Sequence, residues 1–473
     1  MVSHIFGKLK ADFAGIGFRS RVHGLVRFGA GEGNQRDWWY QNTWTLKKDS
    51  SVFRNSFKGP WGVRHRFWGI EITSPVLDAL NPQSFGHLSS AARVIKQKNR
   101  VSITRTCGFH VHVGLGPSTT TSNTLQNWDG LTIKKLVALV FLIDERLFAL
   151  CRPYRTTSRF CMPISQQSRL ANLDLSGVSS PASSLASSSA SPPRASSAVS
   201  PPSPTSSSLD EFRMWMPFPP FSLPTDDGME RQDDGQEQEQ DPMERYTALM
   251  SYFFSLPTST TEEMISLLSL VARVGRTGVL TSGGLSVSFR PLLGLLLNPG
   301  DKDSKPTVEF RLLEGTMNER TVVAWTQLCV RIVELAKMAP PEEFKTVLTG
   351  LVDGYIGGVK PQPRTPTPSP SASRSDTSGG GSDASSERTT PSSHSNDGSD
   401  NEKDQAENDD EEIKREAEKK RRAAAASEML QILHGGCLTD EAIGHLQNKI
   451  TGEPKHFTCC DHSDPAYHDV AAL

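Results

Sequence analysis

The sequence predicts a protein of the α+β class, in which strands and helices occur in separate blocks. Three segments, 68–73, 101–114 and 307–314, alternate apolar and polar residues in the way that half-buried strands do. Two longer segments, 131–150 and 319–338, repeat apolar residues at helical spacing. Tracts rich in Ser and Pro interrupt this pattern. We therefore expect one domain that is split by an insertion.

Composition limits the class of protein further. The chain has 473 residues, is 36% hydrophobic and has a formal net charge of -2, so nothing in its overall charge predicts nucleic acid or an anionic membrane as a partner. Its 7 cysteines are scattered, which indicates a reducing compartment rather than a disulfide framework. The longest apolar run, 136–143, is too short to cross a bilayer, and no secretory signal is present. These features predict an intracellular, cytoplasmic protein.

Changes in composition divide the chain into six parts. Ser, Pro and acidic tracts bury too little apolar surface to order themselves, although such segments can recruit protein partners. The parts are 1–37, an N-terminal segment that is incomplete or poorly ordered; 38–175, the first part of the domain; 176–241, a Ser/Pro-rich and then acidic disordered insertion; 242–356, the second part of the domain; 357–410, a disordered linker; and 411–473, a charged helix with a helical tail.

Within the domain, the elements follow from local periodicity and turn residues. The expected elements are strands at 44–46, 68–73 and 101–114, a helix at 131–150, a helix at 262–274, a strand pair at 284–290 and 307–314, and a helix at 319–338.

Three of these strands carry ionisable side chains on one face. Alternate residues of a strand point to the same side, so Glu71 lies opposite the apolar face of its strand. The same spacing places His110 with His112, and Glu309 with Arg311. We expect all five side chains to share one face of a single sheet.

Each strand alone has an ordinary explanation. A lone Glu is commonly solvated, a His-x-His pair is commonly plain surface, and a Glu-x-Arg strand commonly forms a cross-strand salt bridge. Together the strands offer carboxylates and imidazoles, which bind divalent metals, and a guanidinium, which binds phosphate oxygens. Glycines at 108 and 114 leave room for a ligand beside the histidines. The combination predicts a catalytic site.

Two segments resemble a known family. Residues 107–114 (CGFHVHVG), followed by 307–316 (TVEFRLLEGT), are similar to the amidoligases, a family of the carboxylate–amine ligase superfamily that includes glutamine synthetase and glutamate–cysteine ligase. Segments 44–50 and 69–75 resemble upstream motifs of the same family. The resemblance implies an antiparallel sheet with helices packed on one face, as in the catalytic fold of those two enzymes. It also implies an ATP-dependent ligase.

The resemblance assigns roles by motif position. Glu71 and Glu309 would hold Mg²⁺, or alternatively Mn²⁺, with His110 as a further metal ligand. His112 would contact ATP, and Arg311 would stabilise the transferring phosphoryl group, so Arg311, His112 and Glu309 are the candidate catalytic residues. The implied reaction joins a small-molecule or peptide carboxylate to an amine donor through an acyl phosphate, which leaves an amide or isopeptide bond.

Three further residues are candidates for ligand binding. The cation-rich segment 151–161 is either a solvated helix end or a clamp for a phosphate or a substrate carboxylate. In the second case Arg155 would contact the nucleotide and Ser158 the substrate. Asp49, which follows the first predicted strand, would position the substrate or the amine.

One feature of the superfamily is not found in residues 1–37, namely a Glu-x-Glu strand that supplies further metal carboxylates. Either the N-terminus is incomplete or the site has lost these ligands. A second hypothesis is therefore a catalytically degenerate member that binds a nucleotide or a peptide. A third is a metal-dependent hydrolase that uses His110 and His112. Turnover that requires both nucleotide and acceptor would separate the first hypothesis from the other two.

Overall fold

The computed structural model describes only part of the chain, and every structural statement below concerns that part. The described residues are 2–22, 43–49, 52, 57–58, 64–65, 69–99, 101, 103–115, 128–158, 160–173, 212–217, 241–274, 280–281, 284–298, 305–357 and 400–451. Most of the Ser/Pro and acidic tracts and the Cys/His-rich end of the chain lie outside these ranges. Within them, no helix has both the length and the apolar character that a membrane span needs.

Helices make up most of the described structure. They are α1 (Val2–Ala14), α2 (Pro82–Lys98), α3 (Gly130–Ala149), α4 (Ile164–Gln167), α5 (Pro242–Ser255), α6 (Thr261–Leu270), α7 (Arg290–Leu297), α8 (Glu319–Met338), α9 (Pro341–Gly357), α10 (Asp400–Ile432) and α11 (Asp440–Thr451).

The strands are short and form small sheets. They are β1 (Ser20–Val22), β2 (Trp44–Lys48), β3 (Phe57–Lys58), β4 (Arg64–His65), β5 (Ile70–Thr73), β6 (Val111–Gly114), β7 (Arg273–Val274), β8 (Leu280–Thr281), β9 (Val287–Ser288) and β10 (Thr307–Phe310). Two sheets have three strands, in the orders β1-β2-β5 and β6-β10-β9. Apart from the parallel pair β1–β2, the strand pairs are antiparallel, and with the helices they confirm the predicted α+β class.

Helix α3 lies at the centre of the main hydrophobic core. Its N-cap is Asp129, whose carboxylate accepts hydrogen bonds from the backbone N–H and the hydroxyl of Thr132. The sequence predicts an amphipathic helix here, but nearly the whole of α3 is buried. The reason is its apolar run, which covers every face of two helical turns and leaves no polar side to meet solvent. Helices α5, α8, α9 and α10 pack around it.

Two buried lysines on α3 are accommodated by carbonyl groups and aromatic rings. Lys134 donates to the carbonyl of Phe254, and Lys135 donates to the carbonyl of Ala339. The ammonium of Lys135 also lies 3.9 Å from the ring centroid of Trp215, at a distance that allows cation–π attraction. Burial lowers the pKa of Lys135 to about 8.

The three-stranded sheet β6-β10-β9 joins this core through one face. The apolar side chains of Val111, Val113, Val287, Val308 and Phe310 are buried among those of the helices. Helix α8, which begins after the Asn318 cap at the predicted position, packs against β6. The polar residues between these apolar ones therefore face the other side of the sheet.

The sheet β1-β2-β5 belongs to a separate, smaller core. Phe13 of α1 and Trp44 of β2 stack at a centroid distance of 5.3 Å, and Ile95 of α2 packs with them. An ion pair connects this core to the main one, since Arg93 on α2 lies 2.7 Å from the carboxylate of Glu319 on α8. Within the predicted N-terminal segment 1–37, α1 buries Phe13 and β1 pairs with β2.

Other predicted boundaries also need correction. Strand β6 occupies only the end of the predicted strand 101–114, since residues 104–106 form a turn closed by a backbone hydrogen bond from Cys107 to Thr104. Helix α6 ends at Leu270, and Arg273 and Val274 instead pair with β8.

The two predicted disordered segments each contain described structure. Residues 212–215 form a helical turn whose Phe212, Trp215 and Met216 are buried in the main core. Three large apolar side chains within five residues supply the burial that holds this turn in place. Helix α10 begins at Asp400, inside the predicted linker, and continues without a break into the predicted charged helix.

Candidate active site

The candidate site lies on the solvent-facing side of the sheet β6-β10-β9. In the antiparallel register, Glu309 of β10 lies opposite His112 of β6 and opposite Ser288 of β9. Side chains that are directly opposite in an antiparallel pair lie on the same face. The predicted convergence of the histidine strand and the Glu-x-Arg strand is therefore confirmed by the register.

Glu309 is the centre of this group. Its Oε1 is 3.1 Å from Nδ1 of His110 and 3.6 Å from Nε2 of His112. Its Oε2 is 3.3 Å from an Nη of Arg311. The Glu309 side chain is only 10% exposed, whereas both imidazoles are more than a third exposed. One largely buried carboxylate thus holds three nitrogen-bearing side chains at the surface of the sheet.

The ionisation of Glu309 follows from these contacts. Burial alone would raise the pKa of Glu309, but the hydrogen bond from His110 and the charges of His112 and Arg311 lower the pKa to about 2. Glu309 is therefore a carboxylate throughout the physiological pH range. Partial burial lowers the pKa of His112, an effect that Glu309 opposes, so the neutral imidazole is favoured at neutral pH.

Each imidazole is held by a second contact. Nδ1 of His112 lies 3.2 Å from the hydroxyl of Thr307, at the start of β10. His110 lies over Gly108, where an added Cβ would be 2.8 Å from Nε2. An alanine at position 108 would therefore require the His110 ring to shift from this position.

Arg155 supports the backbone of the site. This predicted nucleotide-binding residue is 2% exposed, and its guanidinium donates hydrogen bonds to the backbone carbonyls of Arg311 (2.5 Å) and Leu312 (2.8 Å). Such contacts fix the end of β10, from which the Arg311 side chain extends. A direct role of Arg155 at a nucleotide is not required to explain its position.

The segment that contains Ser158 lies near the other edge of the sheet. Met162 pairs with Leu285, and the backbone N–H of Ser286 donates to the carbonyl of Met162. The hydroxyl of Ser158 accepts a hydrogen bond from the backbone N–H of Phe160 within a tight turn. Ser158 is half-buried in this turn, and its predicted contact with substrate stays a prediction.

Glu71 and Asp49 are not brought to this sheet. Glu71 lies on β5, in the sheet β1-β2-β5, opposite Lys47 of β2, and its carboxylate is 2.9 Å from the Lys47 ammonium. Asp49 follows β2, and its backbone N–H donates to the carbonyl of Gly69. The prediction that all five ionisable side chains share one sheet face is therefore wrong for Glu71. The periodicity of a strand fixes its face but not its sheet.

The fit of the implied ligands can be judged from these positions. Only His110 and Glu309 of the three predicted metal ligands lie together, and the described residues contain no group of three acidic, His or Cys side chains arranged to hold a metal ion. A phosphate fits better. Nε of Arg311 is buried and has no hydrogen-bond partner among the described groups, so it can donate to a ligand oxygen.

Three residues of the site's surroundings were not predicted as functional. The hydroxyl of Ser286 donates to the buried carboxylate of Asp144 on α3, and the Ser286 carbonyl accepts the backbone N–H of Arg311. Burial raises the pKa of Asp144 to about 6, against hydrogen bonds from Ser165 and Ser286. A charged residue at the end of a wholly apolar helical run is the signal that could have identified Asp144.

The third residue is Glu314, which forms a buried ion pair with Lys449 of α11. Glu314 is part of the motif at 307–316, but nothing in the local sequence connects it with a lysine so far along the chain.

Part of the chain matches a known protein family. Residues 20–179 match the model of a family described as "Putative amidoligase enzyme". The matched region includes Glu71 and both histidines and ends before β10. The chain has no significant match to a curated protein or to a solved structure. The match supports the resemblance seen in the motifs at 44–50, 69–75 and 107–114, and residues 20–179 are similar to this family.

Proposed function

We propose that this protein is an ATP-dependent carboxylate–amine ligase, which activates a small-molecule or peptide carboxylate as an acyl phosphate and transfers it to an amine. The observation that carries the proposal is the group formed by Glu309, His110, His112 and Arg311 on one sheet face. Its histidine strand lies in the region that matches the amidoligase family model. We further propose that this sheet corresponds to the catalytic sheet of the glutamine synthetase-like enzymes.

In this proposal Arg311 binds the phosphoryl group. Phosphoryl transfer requires positioning and neutralisation of charge on the phosphate oxygens more than covalent chemistry from the protein. The partly buried guanidinium of Arg311, with its unpaired Nε, supports this role. Glu309 holds one end of the guanidinium, and Arg155 fixes the carbonyl of the same residue.

In the second step, in which the amine attacks the acyl phosphate, we assign the acceptance of the amine proton to His112. When an amine attacks an acyl phosphate, the C–N bond forms, the bond to the phosphate oxygen breaks, and one proton leaves the nitrogen. His112 is suited to accept that proton because its pKa is lowered and the neutral ring predominates at neutral pH. Glu309, which is always ionised, would then stabilise the resulting imidazolium.

A divalent cation would supply further neutralisation of the nucleotide phosphates. We propose Mg²⁺ or Mn²⁺ as the cation that accompanies ATP, with His110 and Glu309 as the protein groups on this sheet that could contact it. Because the described residues do not form a three-ligand cluster, we assign no chemical step to the metal.

The proposal is tested by trapping the activated carboxylate. The full chain is incubated with ATP, Mg²⁺ and a panel of glutamyl peptides and free carboxylic acids, with hydroxylamine as the amine. We expect formation of a hydroxamate together with stoichiometric ADP and phosphate, dependent on the carboxylate. ADP release that is independent of every carboxylate and amine would contradict the proposal.

A matched pair of variants assigns the activity to the site. Arg311→Met removes the proposed phosphoryl contact and is expected to lower hydroxamate formation by about 100-fold or more. Arg421→Met removes a guanidinium from an exposed ion pair with Glu418 on α10 and is expected to leave the rate unchanged. Equal rates for the parent and the Arg311 variant would place the activity elsewhere.

A second candidate function is favoured by the position of Glu71. Its separation from the Glu309 group leaves that site with one carboxylate among the described residues, which suits binding of a nucleotide or peptide without turnover. Calorimetric binding of ATP that is lost in Arg311→Met, with no ADP released in the presence of the acceptor panel, would support this alternative.

A further inference from the structure

Helix α11 contacts the segment that follows β10 through the side chain of Lys449. Nζ of Lys449 is 2.8 Å from Oε1 of Glu314, and the two side chains are 9% and 6% exposed. Glu314 follows Arg311 by three residues. A residue of the predicted tail is therefore paired, away from solvent, with a residue of the site motif.

The same lysine also contacts the end of α3. Nζ of Lys449 donates to the carbonyl of Leu150 at 2.7 Å. The second carboxylate oxygen of Glu314 accepts the backbone N–H of Arg152 at 3.1 Å. Arg152 begins the turn Pro153–Arg155, whose Arg155 holds the carbonyl of Arg311. Lys449 and Glu314 thus connect α11, the end of α3 and the segment after β10.

Glu314 also lies directly opposite the histidine strand. It forms an antiparallel bridge with Gly108, two residues before His110. Hydrogen bonds from Phe109 to the Leu313 carbonyl and from Gly315 to the Cys107 carbonyl lie on either side of the bridge. Any displacement of Glu314 would therefore move the backbone on which His110 is carried.

Helix α11 has further contacts that hold it in this place. Ala442, Ile443 and Leu446 are buried in the main core. Nε2 of His445 lies 2.9 Å from the hydroxyl of Thr321 on α8. These contacts account for the packing of α11 against the core even without Lys449. The buried ion pair is therefore not needed to explain the position of the helix.

We propose that Lys449 is a positioning residue of the candidate site: by pairing with Glu314 it fixes the bridge to Gly108 and so sets His110 against Glu309 and Arg311. A buried charge pair is well suited to this task, because its short contacts allow one arrangement whereas an apolar contact tolerates sliding. The expected effect on kcat rests on the proposed ligase function. The expected effect on the backbone that carries His110 does not.

The test uses the full chain with the double variant Lys449→Met/Glu314→Gln. The single variant Lys449→Met would leave a buried carboxylate without its cation and could unfold. The double variant removes both charges, and the amide oxygen that replaces a carboxylate oxygen of Glu314 can still accept the Arg152 N–H. Lys449→Arg keeps the charge. Lys419→Met, which removes an ammonium from an exposed pair with Glu416, is the matched control.

Two readouts separate positioning from general stability. Hydrogen exchange measured by mass spectrometry is expected to rise at least tenfold in residues 103–115 of the double variant, with exchange in α8 unchanged. In the hydroxamate assay, kcat is expected to fall about tenfold with KM for ATP within threefold, and Lys449→Arg is expected to retain most of the parent's kcat. The control variant is expected to match the parent in both.

Each outcome decides the inference. Unchanged exchange in residues 103–115 of a folded double variant would overturn it. Unfolding of the double variant would overturn it in favour of a purely structural role for the pair. A parent protein without turnover would refute the ligase function alone, and the exchange result would then decide the positioning role by itself.

Discussion

The two three-stranded sheets of this protein carry the same kind of residue in very different surroundings. Glu309 on β10 is 10% exposed and has His110, His112 and Arg311 around it. Glu71 on β5 is 43% exposed and is paired with Lys47, which is 42% exposed. Both glutamates lie on strands of similar sequence pattern. Only Glu309 is largely shielded from water.

The difference shows which property of its surroundings distinguishes the glutamate of the candidate site from an exposed glutamate on a strand. Coulomb attraction between exposed charges is weak because water screens it, whereas the same charges interact strongly when neighbouring protein excludes water. Glu309 lies on the central strand of its sheet, between β6 and β9, and is therefore shielded on both sides. Glu71 lies on β5, which is at an edge of its sheet among the described strands. Strand order, more than residue type, separates the two.

The largest expected difference between the sheets is in turnover. Glu309→Gln removes the charge that holds three neighbouring groups and is expected to lower hydroxamate formation by about 100-fold or more. Glu71→Gln makes the same chemical change in an exposed pair and is expected to lower it by less than about threefold. Comparable losses in the two variants would show that both sheets contribute to one site.

The acid dependence of stability is the next largest difference. The pKa of Glu309 falls from 4.5 to about 2 on folding, so its ionised form stabilises the protein above pH 4.5 and this stabilisation disappears as the pH falls through 4.5 towards 2. Between pH 5 and 3, the free energy of unfolding should fall by roughly 2 kcal/mol more in the parent than in Glu309→Gln.

Denaturant titrations of the parent and of Glu309→Gln at the two pH values measure this quantity. An identical pH profile for Glu309→Gln and the parent would mean that the neighbouring side chains do not stabilise the ionised form of Glu309.

A smaller effect is expected from crowding His110. Gly108→Ala places a Cβ 2.8 Å from Nε2 of the ring, so the ring must move from its rotamer, at a cost of about 0.5–1.5 kcal/mol in unfolding free energy. Gly86→Ala is the control, because a Cβ there meets nothing within 4 Å and alanine favours helix α2 by up to about 1 kcal/mol.

Thermal unfolding of the two alanine variants should therefore shift in opposite directions. Equal shifts would show that the space over Gly108 is not occupied by the imidazole.

The smallest expected effect lies in the exposed sheet. Lys47→Met breaks the 2.9 Å contact with Glu71, and the free energy of unfolding should change by less than about 1 kcal/mol. Raising the salt concentration should make the variant and the parent still more alike, because screening weakens the pair. A change of several kcal/mol would place the Lys47–Glu71 pair in a buried environment and remove the contrast between the sheets.

Local patterns were sufficient to predict the elements that depend on neighbouring residues. Helix α8 begins and ends as predicted, since Asn318 caps it and apolar residues recur along its length. The two strands that meet at Glu309 were also recognised, together with the face that each presents. In both cases the information lies within a dozen residues of the element.

Long-range pairing could not be predicted in the same way. The sheet that contains Glu71 is set by β2 and by the packing of Phe13 and Trp44, none of which is encoded in the β5 segment. Lys449 lies on a helix whose own sequence gives no sign of Glu314. Composition predicts an insertion, but it does not reveal the three apolar residues inside that segment, because the surrounding serines and prolines dominate the average.

Those three residues have a consequence for how the insertion can vary. The turn at 212–217 is fixed in the core by Phe212, Trp215 and Met216, so the chain is held there at a point inside the predicted insertion. A deletion that removes the turn would uncover the ammonium of Lys135, which Trp215 covers, and would open a gap beside Phe254. This short segment of the predicted insertion is therefore one that the folded core cannot lose.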